Sequence, residues 1–247
     1  MTYGKSAPTD PASVKQPDVL PNANLGQNFD TKTLSVLGFG TQSEIYGEVA
    51  DSHWGPNALI PETAAIALKR DRGQCRYCGY KHSGNRVHHV NNNHTDESEK
   101  NLATICSVCH ASFHLGQIPD GSAYVVYLPG LSRKSVSLLQ KAISVALSTG
   151  DETLRVQAKA VLNWMASHKV YVEEACGTSE PQAFALALMK SGAHGELKQD
   201  HVLEGLHIVI DPTELEAEAV EWMNGPYGRT QPRNWALVYY NVLNAPV

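Results

Sequence analysis

Three strings decide how this chain is read: QCRYCGY (74–80), NRVHHV (85–90) and NLATICSVCHASFH (101–114). They contain two CxxC pairs, Cys75/Cys78 and Cys106/Cys109, together with His88-His89, Asn101, His110 and His114. Four thiolates are the number that tetrahedral Zn²⁺ takes in a closed structural site. The 27 residues between the pairs leave room for a hairpin between two metal knuckles. Gly79, directly after Cys78, can take the positive φ that such a knuckle needs. His110 and His114 are four apart, so a helix over Ser107–Leu115 would put them on one face. Cys106 and Cys109 would then occupy a neighbouring face. NRVHHV reads as a strand, and alternation along a strand sends His88 and His89 to opposite faces. One of them can therefore join His110 and His114 while the other addresses a separate position.

Outward from this region the pattern changes. Residues 1–30 carry four prolines and almost no apolar periodicity, which reads as a disordered or peripheral arm. Residues 31–64 form a β-rich entry segment, with a hairpin expected within 32–49 and a helix opening at Pro61-Glu62-Thr63. Residues 65–120 are the Cys/His module. Residues 121–247 read as mainly helical. There, Tyr124–Leu128 is a strand stopped by Pro129-Gly130, and Ser132 caps a helix to about Leu147. A second helix runs to about His168, and a third runs from Thr178 or Ser179, with Pro181 in its first turn, to Lys190. A fourth starts at Asp211-Pro212 and ends at Asn224-Gly225. Asn234 to Leu243 is apolar on several sides and should pack against the rest.

The chain has 247 residues, 42% of them hydrophobic, which is enough for a sizeable core. Its formal charge of −5 argues against a protein coated in basic surface for nucleic acid. The charge is unevenly spread. Residues 65–115 hold seven Lys/Arg against four Asp/Glu, a local +3, whereas 171–225 hold eleven acidic residues against two lysines, a local −9. Any phosphate contact is therefore expected in the first segment, at Arg76 and Arg86, and any protein contact in the second. Four of the five cysteines lie in the CxxC pairs. That usage, without a signal peptide or an apolar run of about 18 residues, reads as metal binding in a cytoplasmic protein with no membrane insertion. His82 and His94 have no place in the pattern and are assigned to solvent.

The Cys75–His114 stretch resembles the HNH, or ββα-metal, nucleases, in which a hairpin and a helix clamp one catalytic metal. The resemblance implies that His88, His110 and His114 are metal ligands. It makes His89 the general base that activates water, and Asn101 the residue that holds His89 in orientation. It further implies a structural Zn²⁺ on the four cysteines and a catalytic divalent metal, Mg²⁺, Mn²⁺, Ni²⁺ or Zn²⁺, on the histidines. The implied fold is α+β, with a zinc-stapled ββα-metal module after a β-rich segment and a mostly helical C-terminal half. The chemistry is self-consistent. Hydrolysis of a phosphodiester requires a water deprotonated near neutral pH, where histidine titrates, and a cation to offset transition-state charge.

A wider set of strings, LKRDRGQCRYCGY (68–80), NLATICSVC (101–109), VVYLPGLS (125–132) and VEEACGTSEPQAFALALMKSG (172–192), resembles the IcmJ (DotN) family of Dot/Icm type IVB secretion systems. That resemblance spans about Ser35 to Gly192. It implies docking on a type IV coupling ATPase complex at the cytoplasmic face. Three functions follow as alternatives: a secretion or conjugation component carrying an HNH site, a free-standing endonuclease acting on double-stranded DNA, and a zinc-stabilised adaptor or nucleic-acid binder without catalysis.

Overall fold

The computed structural model describes residues 62–91, 93, 95–192 and 205–244. The arm over 1–30, the hairpin expected within 32–49 and His94 lie outside the described residues.

The Cys/His region opens with helix α1 (Glu62–Arg70), whose Ala64 and Ala67 pack on Val87 and Leu102. It ends in a turn through Arg72 (φ 54°) and Gly73 (φ 67°). Arg70 pairs with Asp71 at 2.7 Å, and Asp71 accepts from the Thr104 N–H at 3.0 Å, which ties the helix end to the sheet. The first knuckle is closed by two backbone bonds, Cys75 N–H to Tyr80 at 2.9 Å and Gly79 N–H to Cys75 at 2.8 Å. Gly79 takes φ 79°, as expected from its place after Cys78. Strands β1 (Arg86–His89) and β2 (Leu102–Ile105) pair antiparallel, with Arg86 opposite Ile105 and His89 opposite Leu102.

Helix α2 (Ser107–Ala111) follows at once, with Cys106 as its N-cap. The helix expected to reach Leu115 stops at Ala111. Ser112, Phe113 and His114 donate to the carbonyls three residues back, Cys109, His110 and Ala111. Such bonds tighten the chain into a 3₁₀-type turn, and a separate 3₁₀ turn covers Leu115–Gln117.

In the C-terminal half, β3 (Ala123–Tyr127) leads to α3 (Arg133–Thr149), α4 (Glu152–Ser167), α5 (Lys169–Cys176) and α6 (Pro181–Gly192). Then come β4 (Leu206–Ile210), a 3₁₀ turn at Pro212–Leu215, α7 (Glu216–Asn224), a 3₁₀ turn at Pro232–Asn234, and α8 (Trp235–Asn244). The caps are local, the one at Ser132 as the sequence reading expects. Ser132 Oγ accepts from Ser135 N–H at 3.0 Å, and Asp151 accepts from Leu154 N–H at 2.9 Å. Two elements differ from the sequence reading. β4 pairs antiparallel with β3, so this half holds a second two-stranded sheet as well as helices. The chain after His168 also remains helical, as α5, until Gly177 ends it at φ 78°.

α3 is the central helix, packed on α4, α7, α8 and β4. One core cluster joins Cys75, Cys78, Cys106 and Cys109 to Leu138, Val145, Trp222, Trp235, Val238 and Val242. A second lies around Val125, Phe184 and Ile208, and a third around Val136, Ile143 and Met165. His82 corrects the solvent assignment, since it is only 6% exposed. Its Nδ1 accepts from Gly84 N–H at 3.1 Å, and its Nε2 lies 3.3 Å from the Glu221 carbonyl oxygen, so packing of α7 on the first knuckle covers it. No described helix is long and apolar enough to cross a membrane.

Candidate metal centres

The four cysteines converge from three places. Cys75 and Cys78 come from the knuckle turn, Cys106 from the end of β2, and Cys109 from the first turn of α2. All four are buried, and their sulfurs lie within 4.8 Å of one another. The Cys78 and Cys106 sulfurs are 3.7 Å apart. A tetrahedron with Zn–S of about 2.3 Å has edges of roughly 3.8 Å, so the spacing fits a tetrathiolate metal. Cys106 Sγ also accepts from Cys109 N–H at 3.5 Å. Burial works to raise the Cys106 thiol, but bonds from the other three cysteines and the Lys141 charge pull it well below its ordinary value.

The sequence reading missed the residues that surround this cluster. Lys141 is 1% exposed, and its Nζ lies 3.2 Å from Cys106 Sγ and 2.8 Å from Ser137 Oγ. Burial opposes its charge, but the cysteine sulfurs outweigh it and hold Lys141 protonated. Its spacing on α3 was the available signal: Arg133, Ser137 and Lys141 recur every four residues, along one face.

A second convergence lies beside the hairpin, where the register puts His88 on the same face as Ile105 of the cysteine cluster. His88 from β1, His110 from α2 and His114 from the turn beyond α2 bring their ring nitrogens within 4.8 Å of one another. The ring centroids of His110 and His114 are 4.1 Å apart, and His88 stands edge-on to both, at 5.6 and 5.7 Å. Phe113, 4.7 Å from His88, and Tyr77, 4.8 Å from Phe113, wall off this set. Burial, then the neighbouring His114, His88 and Arg86, push His110 well below its ordinary pKa. A neutral imidazole is the ligand form, and three imidazoles suit Zn²⁺, Ni²⁺ or Mn²⁺. His114 reaches the set although it lies outside α2, because the turn replaces the helical spacing the sequence predicts.

His88 is buried and His89 half-buried, while Val87 on the other face of β1 is buried as well. His89 lies near Asp96, whose carboxyl is held below its ordinary value first by bonds from Ser98, then Asn91, with His89 adding to the effect. Asn101 is buried, and its side chain organises the loop between the two strands. Its Oδ1 accepts from Asn91 N–H at 2.8 Å, and its Nδ2 donates to the Asp96 carbonyl at 2.7 Å. Arg86 is exposed and close enough to His110 and Glu218 to act on both electrostatically. Arg76 is exposed on the first knuckle, its N–H donating to Thr104 at 2.8 Å. The fifth cysteine, Cys176, is half-buried, and burial pushes its thiol up to about 11, which removes it as a nucleophile near neutral pH.

No family model matches this chain. Among curated proteins it is similar to the type 4 apparatus protein DotN of Legionella pneumophila, with 22% identity over 161 residues, 63% of this chain and 75% of that protein. That distant likeness supports the resemblance to the IcmJ (DotN) family read from the strings at 68–80, 101–109, 125–132 and 172–192.

Proposed function

We propose that this protein is a cytoplasmic component of a type IVB secretion or conjugation apparatus, of the DotN kind, and that it carries a metal-dependent phosphodiesterase site of the HNH type. The observation that carries the site is the division of donors into two sets, four sulfurs and three imidazoles, on a hairpin followed by a short helix. The four sulfurs take a structural Zn²⁺. His88, His110 and His114 take the second divalent metal, Mg²⁺, Mn²⁺, Ni²⁺ or Zn²⁺, which when bound supplies Lewis-acid stabilisation of phosphate charge. His89, on the opposite face of β1, removes the proton from the attacking water. Asn101 acts at one remove: by bonding Asn91 and Asp96 it fixes the loop that follows His89. Arg86 and Arg76 are the contacts for the phosphates of double-stranded DNA. Val156, Val161 and Trp164 on the outside of α4 are exposed large apolar side chains, which suit a protein partner such as a coupling ATPase complex.

A second reading, a metal-stapled adaptor without catalysis, is favoured by Glu218, the carboxylate near Arg86, which weakens that side as a DNA surface. A free-standing endonuclease is the third. Plasmid nicking by the full chain with Mg²⁺, Mn²⁺, Ni²⁺ or Zn²⁺, combined with co-purification against a coupling ATPase, separates the three. The proposed function gives nicking, about 100-fold or more slower in His89→Ala at unchanged zinc content, together with capture of the ATPase. Capture without nicking by folded, zinc-loaded protein leaves the adaptor reading, and nicking without capture leaves the endonuclease.

A further inference from the structure

We propose that the Arg133–Ser137–Lys141 face of α3 is the charge-balancing outer shell of the four-sulfur metal site, and that Lys141 sets how tightly that site holds its metal. The inference rests on the reading that the four cysteines hold a metal. One divalent ion with four thiolates has a net charge of −2, and each of these cysteines is at most 1% exposed. Such a charge in a core requires a compensating cation. Among the described residues Lys141 is the buried one. Its Nζ lies 3.2 Å from Cys106 Sγ and 3.9 Å from Cys78 Sγ.

Its remaining neighbours hold the ammonium in place without neutralising it. It donates to Ser137 Oγ at 2.8 Å and lies near the Ser137 carbonyl oxygen at 3.4 Å. The rings of Tyr80 and Trp222 stand 5.3 and 5.7 Å away, at cation–π distance. No carboxylate oxygen lies within 4.0 Å of it among the described residues. Lys141 is therefore directed at sulfur rather than at an acid.

Ser137 extends the shell. Its Oγ is 3.3 Å from Cys109 Sγ. With its oxygen accepting from Lys141, the hydroxyl proton is free to bond a Cys109 thiolate. One turn earlier, Arg133 lines a small cavity with Cys109 and Ser137, which adds a second positive group on the same face. Second-shell partners that bond metal ligands typically change metal affinity 10- to 100-fold when removed. The same face makes metal loading and the seating of α3 one event.

The test measures Zn²⁺ and Co²⁺ affinity of the full chain by chelator competition, with the cobalt–thiolate absorption reporting tetrathiolate ligation. Lys141→Met, which keeps the apolar stem, is expected to weaken affinity by about 10- to 100-fold, and Ser137→Ala by a smaller factor of about 3 to 10. Hydrogen exchange over 133–149 should rise in the metal-free protein. A folded Lys141→Met with unchanged affinity overturns the proposal. If Lys141→Met fails to fold, Ser137→Ala decides, and unchanged affinity there overturns it equally. Wild-type protein that shows no thiolate–metal absorption overturns the metal reading itself along with this one.

Discussion

His207 shows how one residue makes stability depend on pH. It sits on β4 at 8% exposure. Burial, followed by the nearby Arg133, lowers its pKa to about 4, against the raising effect of its bonds to the Leu131 and Leu128 backbone. Below its ordinary value of about 6.5 the unfolded chain takes up a proton that the folded chain refuses until about pH 4. Stability associated with His207 is therefore complete above pH 6.5 and is lost as pH falls toward 4. At about 1.4 kcal/mol per pH unit, the full loss is on the order of 3 kcal/mol. Denaturant titrations should show His207→Gln losing about 2 kcal/mol less than wild type between pH 7.5 and 5, and parallel curves would refute the assignment. Acid loss of metal acts on both proteins and cancels in the comparison. At this scale the sequence was legible where spacing carries chemistry: Cys75, Cys78, Cys106 and Cys109 lie together, as do His110 and His114, while His88, which spacing alone left equal to His89, is the one beside them. Lys141 and His82 were not legible, because lysine and histidine on an amphipathic pattern are assigned to water unless a distant segment covers them. The covering segments, the cysteine knuckles for Lys141 and α7 for His82, lie far away along the chain.

Among the elements, the join between α3 and β4 is made by one side chain acting as a missing strand. Gln140 is 3% exposed. Its Nε2 donates to the Ile208 carbonyl at 2.9 Å and its Oε1 accepts from Ile210 N–H at 2.8 Å. Gln140→Leu leaves two buried backbone groups without those bonds, a cost of about 2–4 kcal/mol by chemical denaturation. A loss below 0.5 kcal/mol would show that water reaches the strand edge. The helices here were largely legible because their signals are local: Ser132, Pro181, Asp211-Pro212 and Asn224-Gly225 all lie at element boundaries. β4 was not, because its partner β3 lies some eighty residues earlier and nothing local marks LHIVI as its complement. α2 was overextended for a related reason. His110 and His114 suggested a helical repeat, whereas the bonds from Ser112 to His114 tighten the turn.

For the molecule as a whole, the core around the sulfurs depends on the far end of the described chain. Trp235 is 2% exposed, and Val238 and Val242 are nearly as buried beside the cysteines. Trp235→Ala should cost about 3–5 kcal/mol. In a chain this size that lowers the melting temperature by about 10 °C. Because the same cluster contains the sulfurs, a metal held there under the proposed function should be released faster in step, which chelator-triggered zinc release would record. Unchanged release at a lowered melting temperature would separate the two. The uneven charge was legible in outline, but not its result: α7, from the acidic segment, packs over the basic one and sets Glu218 near Arg86.

The arrangement of that core also dictates an order of events during synthesis. Both knuckles have left the ribosome once residue 109 and its tunnel-length tail are made, so all four thiols are available for metal early. Trp222, Trp235, Val238 and Val242, which close over them, come more than a hundred residues later. A nascent chain therefore holds its thiols, with or without metal, incompletely covered through the later part of translation. Until the last helix docks, they are exposed to competing metals and oxidants.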